Sequence, residues 1–279
     1  MFLVLDIGGT NCRIAVFNSN GAKRPLLLEY LELEQNLQHD WQHMLDLIEP
    51  YRQRGFTGAV IGVAGALNAE GTTLINSPHL HFLEGIDLKN RLQNDLNCPV
   101  SVFNDTYLAT LAETKVSGRS NNFWYLNWGS GIGGSLALKG KKGWEIHNAE
   151  PGHMVLDPAA AKCECGQQGC WDIICGGRGL IARFNKHPST LILAEWKQII
   201  PYMTQGILNL SVVFPVGEII MGGGIAINQP EIVELINQKL NVMMKIIKAP
   251  KLSVTKYADL LGIYGGFHFL KEVYNISTY

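Results

Sequence analysis

The sequence predicts an α/β protein with two similar lobes, and three features support this prediction. Short apolar strands alternate with amphipathic helical segments along most of the chain, a pattern typical of α/β layers. The 279 residues are enough for two modest domains, and no low-complexity linker separates them. A strand, a glycine-rich turn and a second strand occur twice, first as FLVLDIGGTNCRIAVFN and again as FWYLNWGSGIGGSLALKG.

The repeated strand-turn-strand pattern predicts two lobes that each open with a glycine hairpin, with a cleft between them. Two ordinary hairpins in one sheet would produce the same pattern, so this alternative stays open on the sequence alone. We place the N-terminal lobe at residues 1–112 and the C-terminal lobe at 113–259. The helical segment at about 260–279 is expected to pack back on the N-terminal lobe.

The individual elements follow from hydrophobic spacing and from the glycines and prolines that end them. Predicted strands lie at 2–5 and 12–17, at 58–65 with its closing glycine turn, at 100–103, in two segments within 123–140, and at 218–221. Predicted helices lie at 40–52, 88–96, 106–114, 191–210, from about 230 onward, and at 259–274. A glycine turn is predicted at 222–224.

Composition and charge exclude several classes of protein. The 23 basic residues nearly balance the 24 acidic ones, so the basic face expected of a nucleic-acid-binding protein is not indicated. The apolar run at the N-terminus is too short for a signal peptide, and no window is long and apolar enough to span a bilayer. We expect a soluble, cytoplasmic protein with no nucleic-acid and no membrane partner.

The first glycine turn, DIGGTN, has the chemistry of a phosphate site. Gly8 and Gly9 let backbone amides turn towards an anion, and the Thr10 and Asn11 side chains add donors for phosphate oxygens. Asp6 beside them suits a Mg²⁺ ion held through water. The alternative is a plain hairpin with a buried carboxylate, although such a carboxylate needs a partner.

Two further glycine-rich segments are candidates for the same ligand. A second anion-binding hairpin, GSGIGG, would let two loops grip one polyphosphate, and MGGGIA, between a strand and a helix, could pack under a nucleobase or ribose. Hairpin formation or helix–strand packing alone would also explain either segment. The candidate nucleotide-binding residues in these segments are Gly129, Ser130, Gly131, Gly133, Gly223 and Gly224.

The pair Asn104-Asp105 follows a buried strand and precedes a helix. Ligands of open α/β sheets bind at the carboxyl ends of strands, so a carboxylate at this position is well placed to be a general base. The same position suits a helix N-cap, a role that Asn and Asp fill very commonly. Position alone favours the cap.

Three of the six cysteines lie within CECGQQGC, and EPGH precedes them by one loop. A disulfide knot is not expected in a chain this long, and the mixed charge around the cluster does not suit a nucleic-acid ribbon. The thiolates of Cys163, Cys165 and Cys170 would close a tetrahedral Zn²⁺ shell with the imidazole of His153, which marks a structural metal site. The alternative for the histidine is an ordinary hydrogen-bonded side chain. We interpret the remaining cysteines as small buried filler: Cys12, Cys98 and Cys175.

Taken in order, these motifs resemble the ROK family of sugar kinases and sugar-responsive repressors. The matching segments run through nearly the whole chain: DIGGTNCRIAVF, GVAG, NSPHL, FNDTYLATLAE, GSGIGG, EPGH, CECGQQGC and IIMGGGI. The combination of EPGH and CECGQQGC is the most specific of them. The resemblance implies the two-lobed actin-like ATPase fold, which is ribonuclease H-like, with sugar deep in the cleft and ATP·Mg²⁺ towards its mouth. It also suggests a homodimer.

The resemblance implies a role for each of several side chains. It makes Asp105 the base that takes the proton from the sugar hydroxyl and Asn104 a hydrogen-bond partner of the sugar, which reverses the cap-first interpretation. Asp172 departs from the family pattern, which has Glu two residues after the last cysteine, and this departure concerns sugar preference more than catalysis. The other sugar-site candidates carried over from the family are Gly65, Asn76, Glu150 and His153.

The function implied by the resemblance is ATP-dependent phosphorylation of a hexose or an N-acetylhexosamine, at the 6-hydroxyl. ATP, Mg²⁺ and a structural Zn²⁺ are the expected cofactors, and the sugar is the expected small-molecule partner. The alternative is a non-catalytic sugar sensor or regulator of the same family. Family repressors carry an added N-terminal helix-turn-helix domain, whereas this chain begins its phosphate strand at residue 2. We therefore expect the enzyme.

Overall fold

The structure, a computed structural model, describes residues 1–22, 24–116 and 119–276. The chain divides into two compact units, Met1–Glu113 with Leu260–Tyr279, and Thr114–Asp259. We describe each unit by itself. The last three residues of the predicted C-terminal segment, 277–279, lie outside the described residues.

The first unit contains a five-stranded mixed sheet and a two-stranded ribbon. Its strands are β1 (Phe2–Ile7), β2 (Asn11–Phe17), β3 (Leu27–Glu32), β4 (Gly58–Val63), β5 (Ala66–Leu67), β6 (Leu74–Asn76) and β7 (Val100–Asn104). The large sheet has the order β3-β2-β1-β4-β7, and the ribbon pairs β5 with β6. β1 pairs antiparallel with β2 on one side and parallel with β4 on the other. The glycine turn after β1 therefore leads directly into the neighbouring strand β2 of the same sheet.

Helices cover both faces of this sheet, which explains why β1 is a continuous apolar run. They are α1 (Leu37–Arg52), α2 (Leu88–Leu96), α3 (Asp105–Thr114) and α9 (Leu261–Val273). Successive side chains of a strand point to opposite faces. Leu3 and Leu5 therefore join the core cluster that contains residues of α1 and α2, whereas Phe2 and Val4 join the cluster that contains residues of α3 and α9.

The glycines of α9 allow close approach to the rest of the first unit, as their position on one side of the predicted helix indicates. A Cβ built on Gly265 would overlap the carbonyl oxygen of Leu108 in α3, and one built on Gly266 would lie 2.5 Å from Cγ1 of Val4. The helix therefore packs with its backbone against its neighbours, and the site has no space for a methyl group.

We expect Gly265→Ala to lower the free energy of unfolding by about 1–3 kcal/mol, because the added methyl group forces α9 away from α3. Thermal unfolding followed by circular dichroism measures this loss. Gly217→Ala is the matched control, since no described heavy atom lies within 4 Å of a Cβ built on Gly217. An equal and small change in both variants would show that α9 is not closely packed at this point.

The second unit repeats the sheet of the first. Its strands are β8 (Phe123–Trp128), β9 (Ile132–Gly140), β10 (Gly143–Ala149), β11 (Glu218–Gly222) and β12 (Lys251–Val254), in the order β10-β9-β8-β11-β12. As in the first sheet, the first two pairings are antiparallel and the last two are parallel. The two glycine hairpins therefore belong to separate sheets, and the alternative of two hairpins in one sheet is wrong.

The helices of the second unit are α4 (Trp171–Cys175), α5 (Gly177–Phe184), α6 (Leu193–Val213), α7 (Gly223–Asn228) and α8 (Pro230–Met243). The predicted start of a helix near Pro230 is confirmed, with proline in the first turn. The predicted glycine turn at 222–224 is wrong, because Gly222 ends β11 and the next two glycines already lie in α7. Among the described residues, no helix combines the length and apolar character needed to cross a membrane.

Candidate functional site

The first glycine turn closes the β1–β2 hairpin tightly. The amide of Gly8 donates to the carbonyl oxygen of Asn11 at 2.9 Å, and Nδ2 of Asn11 donates to Oγ1 of Thr10 at 3.1 Å. Gly9 lies against His79, since a Cβ built on this glycine would be 2.7 Å from Cβ of the histidine. Because position 9 is glycine, the imidazole of His79 has space to lie next to the candidate phosphate turn.

Asp6 lies beside this turn, and its carboxylate has the partner that a buried acid requires. The residue is 7% exposed, and Oδ2 lies 3.5 Å from Nη1 of Arg13. The two residues are directly opposite in the β1–β2 pairing. Sequence reasoning missed Arg13, although a hairpin that turns at residues 8–10 places it opposite Asp6. Gly262 of α9 also approaches, with a built Cβ 2.5 Å from Cγ of the aspartate.

Four other candidates of the first unit come together at the carboxyl ends of β4 and β7. Nδ2 of Asn104 donates to the carbonyl oxygen of Gly65 at 3.1 Å. Gly65 has a φ of +133°, and a Cβ built on it would lie 2.6 Å from the carbonyl oxygen of Asn76. Asp105 follows as the first residue of α3. Residues far apart in sequence therefore lie close together here.

The structure contains the cap that position alone predicts. Oδ1 of Asn104 accepts from the amide of Thr106 at 2.9 Å, and Oδ1 of Asp105 accepts from the same amide at 2.8 Å. The contact fixes the orientation of the Asp105 carboxylate at the start of α3. Capping and proton transfer are compatible, because a hydrogen-bonded carboxylate still accepts a proton on its other oxygen.

Sequence reasoning also missed Ser77. This residue lies in the NSPHL segment, between Asn76 and the His79 that contacts Gly9. Its side chain is fully buried, and Oγ donates to the carbonyl oxygen of Ala64 at 2.8 Å. The backbone that carries His79 is thereby tied to the end of β4. The sequence signal was the NSPHL motif itself, in which Asn76 was assigned to the sugar but Ser77 was assigned no role.

In the second unit, the GSGIGG loop is held by the first residues of α5. The amide of Gly177 donates to the carbonyl oxygen of Gly129 at 2.9 Å, and the amide of Arg178 donates to that of Ser130 at 3.0 Å. Gly133 follows in β9, where it pairs with Asn127.

The glycines that begin α7 lie beside the same loop. Gly223 has a φ of +84°, and a Cβ built on it would lie 2.5 Å from the carbonyl oxygen of Trp128. A Cβ built on Gly129 would be 3.8 Å from the amide nitrogen of Gly224. The structure thus brings together the two glycine-rich segments of this unit that the sequence marked as nucleotide candidates.

The four predicted metal ligands converge. Sγ of Cys163 lies 3.6 Å from Nδ1 of His153, and the Sγ atoms of Cys165 and Cys170 are 3.5 Å apart. All four ligand atoms lie within 4.8 Å of one another. A tetrahedral Zn²⁺ with Zn–S bonds of about 2.3 Å requires ligand atoms separated by just under about 4 Å. The residues present therefore fit a zinc ion without rearrangement of the backbone.

Backbone and protonation chemistry agree with a metal site. Gly166 and Gly169 have φ angles of +92° and +74°, and they form the turns of the cysteine loop. Burial, together with hydrogen bonds to the neighbouring thiols, raises the pKa of Cys170 to about 12. A metal ion that binds here therefore displaces thiol protons. The six cysteines are all free thiols, and the three interpreted as filler are buried.

Two carboxylates adjoin this cluster of four candidate metal ligands. Glu150 directly precedes the short helical turn Pro151–His153. Desolvation by the surrounding protein, and secondarily the negative charge of Asp172, raises the pKa of Glu150. Oδ1 of Asp172 accepts a hydrogen bond from the amide of Ile132 at 2.5 Å, so this oxygen contacts the second glycine loop.

Comparison with known proteins places these features in one family. The ROK family model matches residues 2–273. An N-acetylmannosamine kinase of Haemophilus influenzae is 28% identical over 187 residues, which are 64% of this chain and 61% of that kinase. The match thus spans less than two thirds of this relative's length.

Solved structures show the same fold. A ROK family glucokinase from Streptomyces griseus, in complex with glucose and AMPPNP, superposes with a TM-score of 0.80 at 18% identity, covering 97% of this chain and 99% of that one. A ROK family transcriptional regulator, a homologue of the E. coli MLC protein, gives a TM-score of 0.78 at 20% identity, covering 97% and 77%. The predicted actin-like ATPase fold is confirmed. With a family model that matches almost its whole length, the chain belongs to the ROK family.

Proposed function

We propose that this protein is an ATP-dependent sugar kinase that phosphorylates a hexose or an N-acetylhexosamine, at the 6-hydroxyl. The observation that carries the proposal is the position of Asp105. Its carboxylate lies at the start of α3, oriented by the Thr106 amide, next to the hydrogen-bonded pair of Asn104 and Gly65. Kinase relatives in the same family support the reaction class.

In the proposed reaction, Asp105 accepts the proton of the attacking sugar hydroxyl. The hydroxyl oxygen forms a bond to the γ-phosphorus, and the bond between that phosphorus and the bridging oxygen of ADP breaks. Phosphoryl transfer depends mainly on positioning and charge neutralisation, so a fixed base next to sugar-binding groups contributes directly. When bound, ATP·Mg²⁺ supplies the phosphoryl group and part of the neutralising charge.

The other residues divide between the two ligands. In the first unit, the turn from Gly8 to Asn11 is assigned to the phosphates, and Asp6 to Mg²⁺ held through water. The candidate sugar ligands of the first unit are Gly65, Asn76, Asn104 and Asp105. Those of the second unit are Glu150 and His153. The nucleotide-binding candidates of the second unit are Gly129, Ser130, Gly131, Gly133, Gly223 and Gly224. The cluster of His153 with three cysteines is assigned to a structural Zn²⁺.

A non-catalytic sugar-binding regulator is the second candidate. The observation in its favour is the similarity to the ROK transcriptional regulator, which has the same fold. A regulator would bind a sugar without turning over ATP, so one assay distinguishes the two functions.

The test is ADP release with purified protein, ATP and Mg²⁺ across glucose, fructose, mannose, allose, N-acetylglucosamine and N-acetylmannosamine. We expect sugar-dependent ADP release with at least one of them, and mass spectrometry should detect the corresponding sugar phosphate. Sugar binding by calorimetry, without ADP release for any sugar, would support the regulator and overturn the kinase.

A further inference from the structure

The strongest unassigned feature is the connection between the metal cluster and the second glycine loop through α4 and Asp172. Helix α4 begins immediately after the metal ligand Cys170, and Asp172 is its second residue. Oδ1 of this aspartate accepts from the amide of Ile132 at 2.5 Å. Ile132 is 5% exposed, so its amide has little access to water as an alternative partner.

The Asp172 carboxylate is closely surrounded by glycines. A Cβ built on Gly131 would lie 2.6 Å from Oδ1 of Asp172, and one built on Gly176 would lie 3.1 Å from the same oxygen. A Cβ on Gly152 would lie 3.3 Å from Cβ of Asp172. Glycines thus surround the aspartate, and the short side chain matches the space that they leave.

Further hydrogen bonds join the same two segments. The amides of Gly177 and Arg178 donate to the carbonyl oxygens of Gly129 and Ser130, and Nε1 of Trp128 donates to the carbonyl oxygen of Cys175 at 2.8 Å. The segment from 172 to 178 therefore contacts the loop from 128 to 132 at four points.

The N-terminal end of α4 is hydrogen-bonded next to the metal cluster. The amide of Trp171 donates to the carbonyl oxygen of Met154 at 2.8 Å, next to the ligand His153. Cys170 is thus joined directly to α4, and Asp172 joins α4 to the glycine loop. A residue that only binds sugar would not need this contact with the glycine loop. The contact therefore indicates a structural role for Asp172.

We propose that Asp172 is a positioning residue that couples the metal cluster to the second glycine loop. In this role it maintains the loop in the conformation that binds the nucleotide. The proposal rests on the proposed function, because the assignment of the loop to the nucleotide belongs to it. We therefore expect loss of the Asp172 carboxylate, or of the metal, to weaken nucleotide binding more than sugar binding.

The experiment measures the affinity for AMPPNP·Mg²⁺ by calorimetry in Asp172→Ala, Asp172→Asn and Asp172→Glu. We expect the alanine variant to bind AMPPNP·Mg²⁺ roughly tenfold more weakly, since the buried Ile132 amide loses its acceptor. Asparagine keeps an oxygen of the same reach, so its effect should be smaller. Glutamate should weaken binding more than asparagine, although it keeps the charge, because its extra methylene does not fit against Gly131.

Hydrogen exchange followed by mass spectrometry gives a readout independent of nucleotide. Peptides that cover residues 128–134 should exchange faster in Asp172→Ala and in metal-stripped protein than in the metal-loaded protein. Asp157→Asn is the matched control: this carboxylate lies in the same cysteine-loop region, but its partners are Ala159 and Tyr202. The control should change neither the exchange of 128–134 nor the affinity for AMPPNP·Mg²⁺.

Several outcomes would overturn the proposal. If the wild type binds AMPPNP·Mg²⁺ and all three Asp172 variants bind it equally well, the coupling is refuted while the kinase proposal stands. A selective loss of sugar affinity, with nucleotide affinity unchanged, would make Asp172 a sugar ligand. Failure of the wild type to bind AMPPNP·Mg²⁺ would refute the nucleotide assignment, and this inference with it.

Discussion

Replacement of Asp105 by asparagine is expected to lower turnover by about 10²–10⁴-fold, the range that general-base catalysis contributes. The variant should still fold, because Oδ1 of asparagine can accept the same hydrogen bond from the Thr106 amide. Sugar affinity should also remain, since the pairing of Asn104 with Gly65 is not altered. Initial rates of ADP release and calorimetric titration with the preferred sugar measure the two effects separately.

The matched control for this substitution is Asp87→Asn. Asp87 caps α2, and its Oδ1 accepts from the amide of Asn90 at 2.9 Å, so the same chemical change is made at another helix start. Turnover of this variant should equal that of the wild type. Near-normal turnover in Asp105→Asn would refute the assignment of the base and leave only a capping role.

Loss of the metal is expected to have the largest effect on stability. We expect one zinc per chain in the purified protein, because the four ligand atoms are already placed within 4.8 Å of one another. Cys170→Ala should abolish zinc binding and lower the melting temperature by several degrees, since the loop before α4 loses its cross-link. Elemental analysis and thermal unfolding, with and without a chelator, measure both quantities.

Cys175→Ala separates the metal effect from the general cost of removing a buried thiol. Cys175 is as buried as Cys170 but belongs to no metal cluster among the described residues. This variant should keep its zinc and its response to chelator, although it loses some packing in the core. The absence of zinc from wild-type protein that was prepared without chelator would refute the structural metal site.

Three of the strands that the sequence failed to predict have a physical reason in common. β3, β10 and β12 are all edge strands, and β3 and β10 have partly exposed residues where an inner strand has buried ones. They therefore lack the apolar runs that made β1 and β4 recognisable. The helix at Leu88–Leu96 was predicted at its exact bounds, because its amphipathic spacing and its end before Pro99 are both local signals.

Several partners of site residues depend on pairing across the sheet or between segments. Arg13 meets Asp6 only through the register of β1 with β2, and His79 meets Gly9 through the path of the chain after β6. The contact of Asp172 with Ile132 joins residues forty positions apart. Sequence spacing contains no information about such contacts, because it does not specify which segments are neighbours in space.

By itself, the sequence determined the α/β class, the repeated glycine hairpin and the set of candidate cysteine and histidine metal ligands. These features depend on short-range patterns: strand and helix periodicity, glycine at turns, and ligand types at close spacing. Only the tertiary structure decided that the hairpins belong to separate sheets, that Asn104 pairs with Gly65, and that Asp172 contacts the glycine loop. Each of these depends on long-range packing, where burial and hydrogen-bond geometry select one partner among many that the sequence allows.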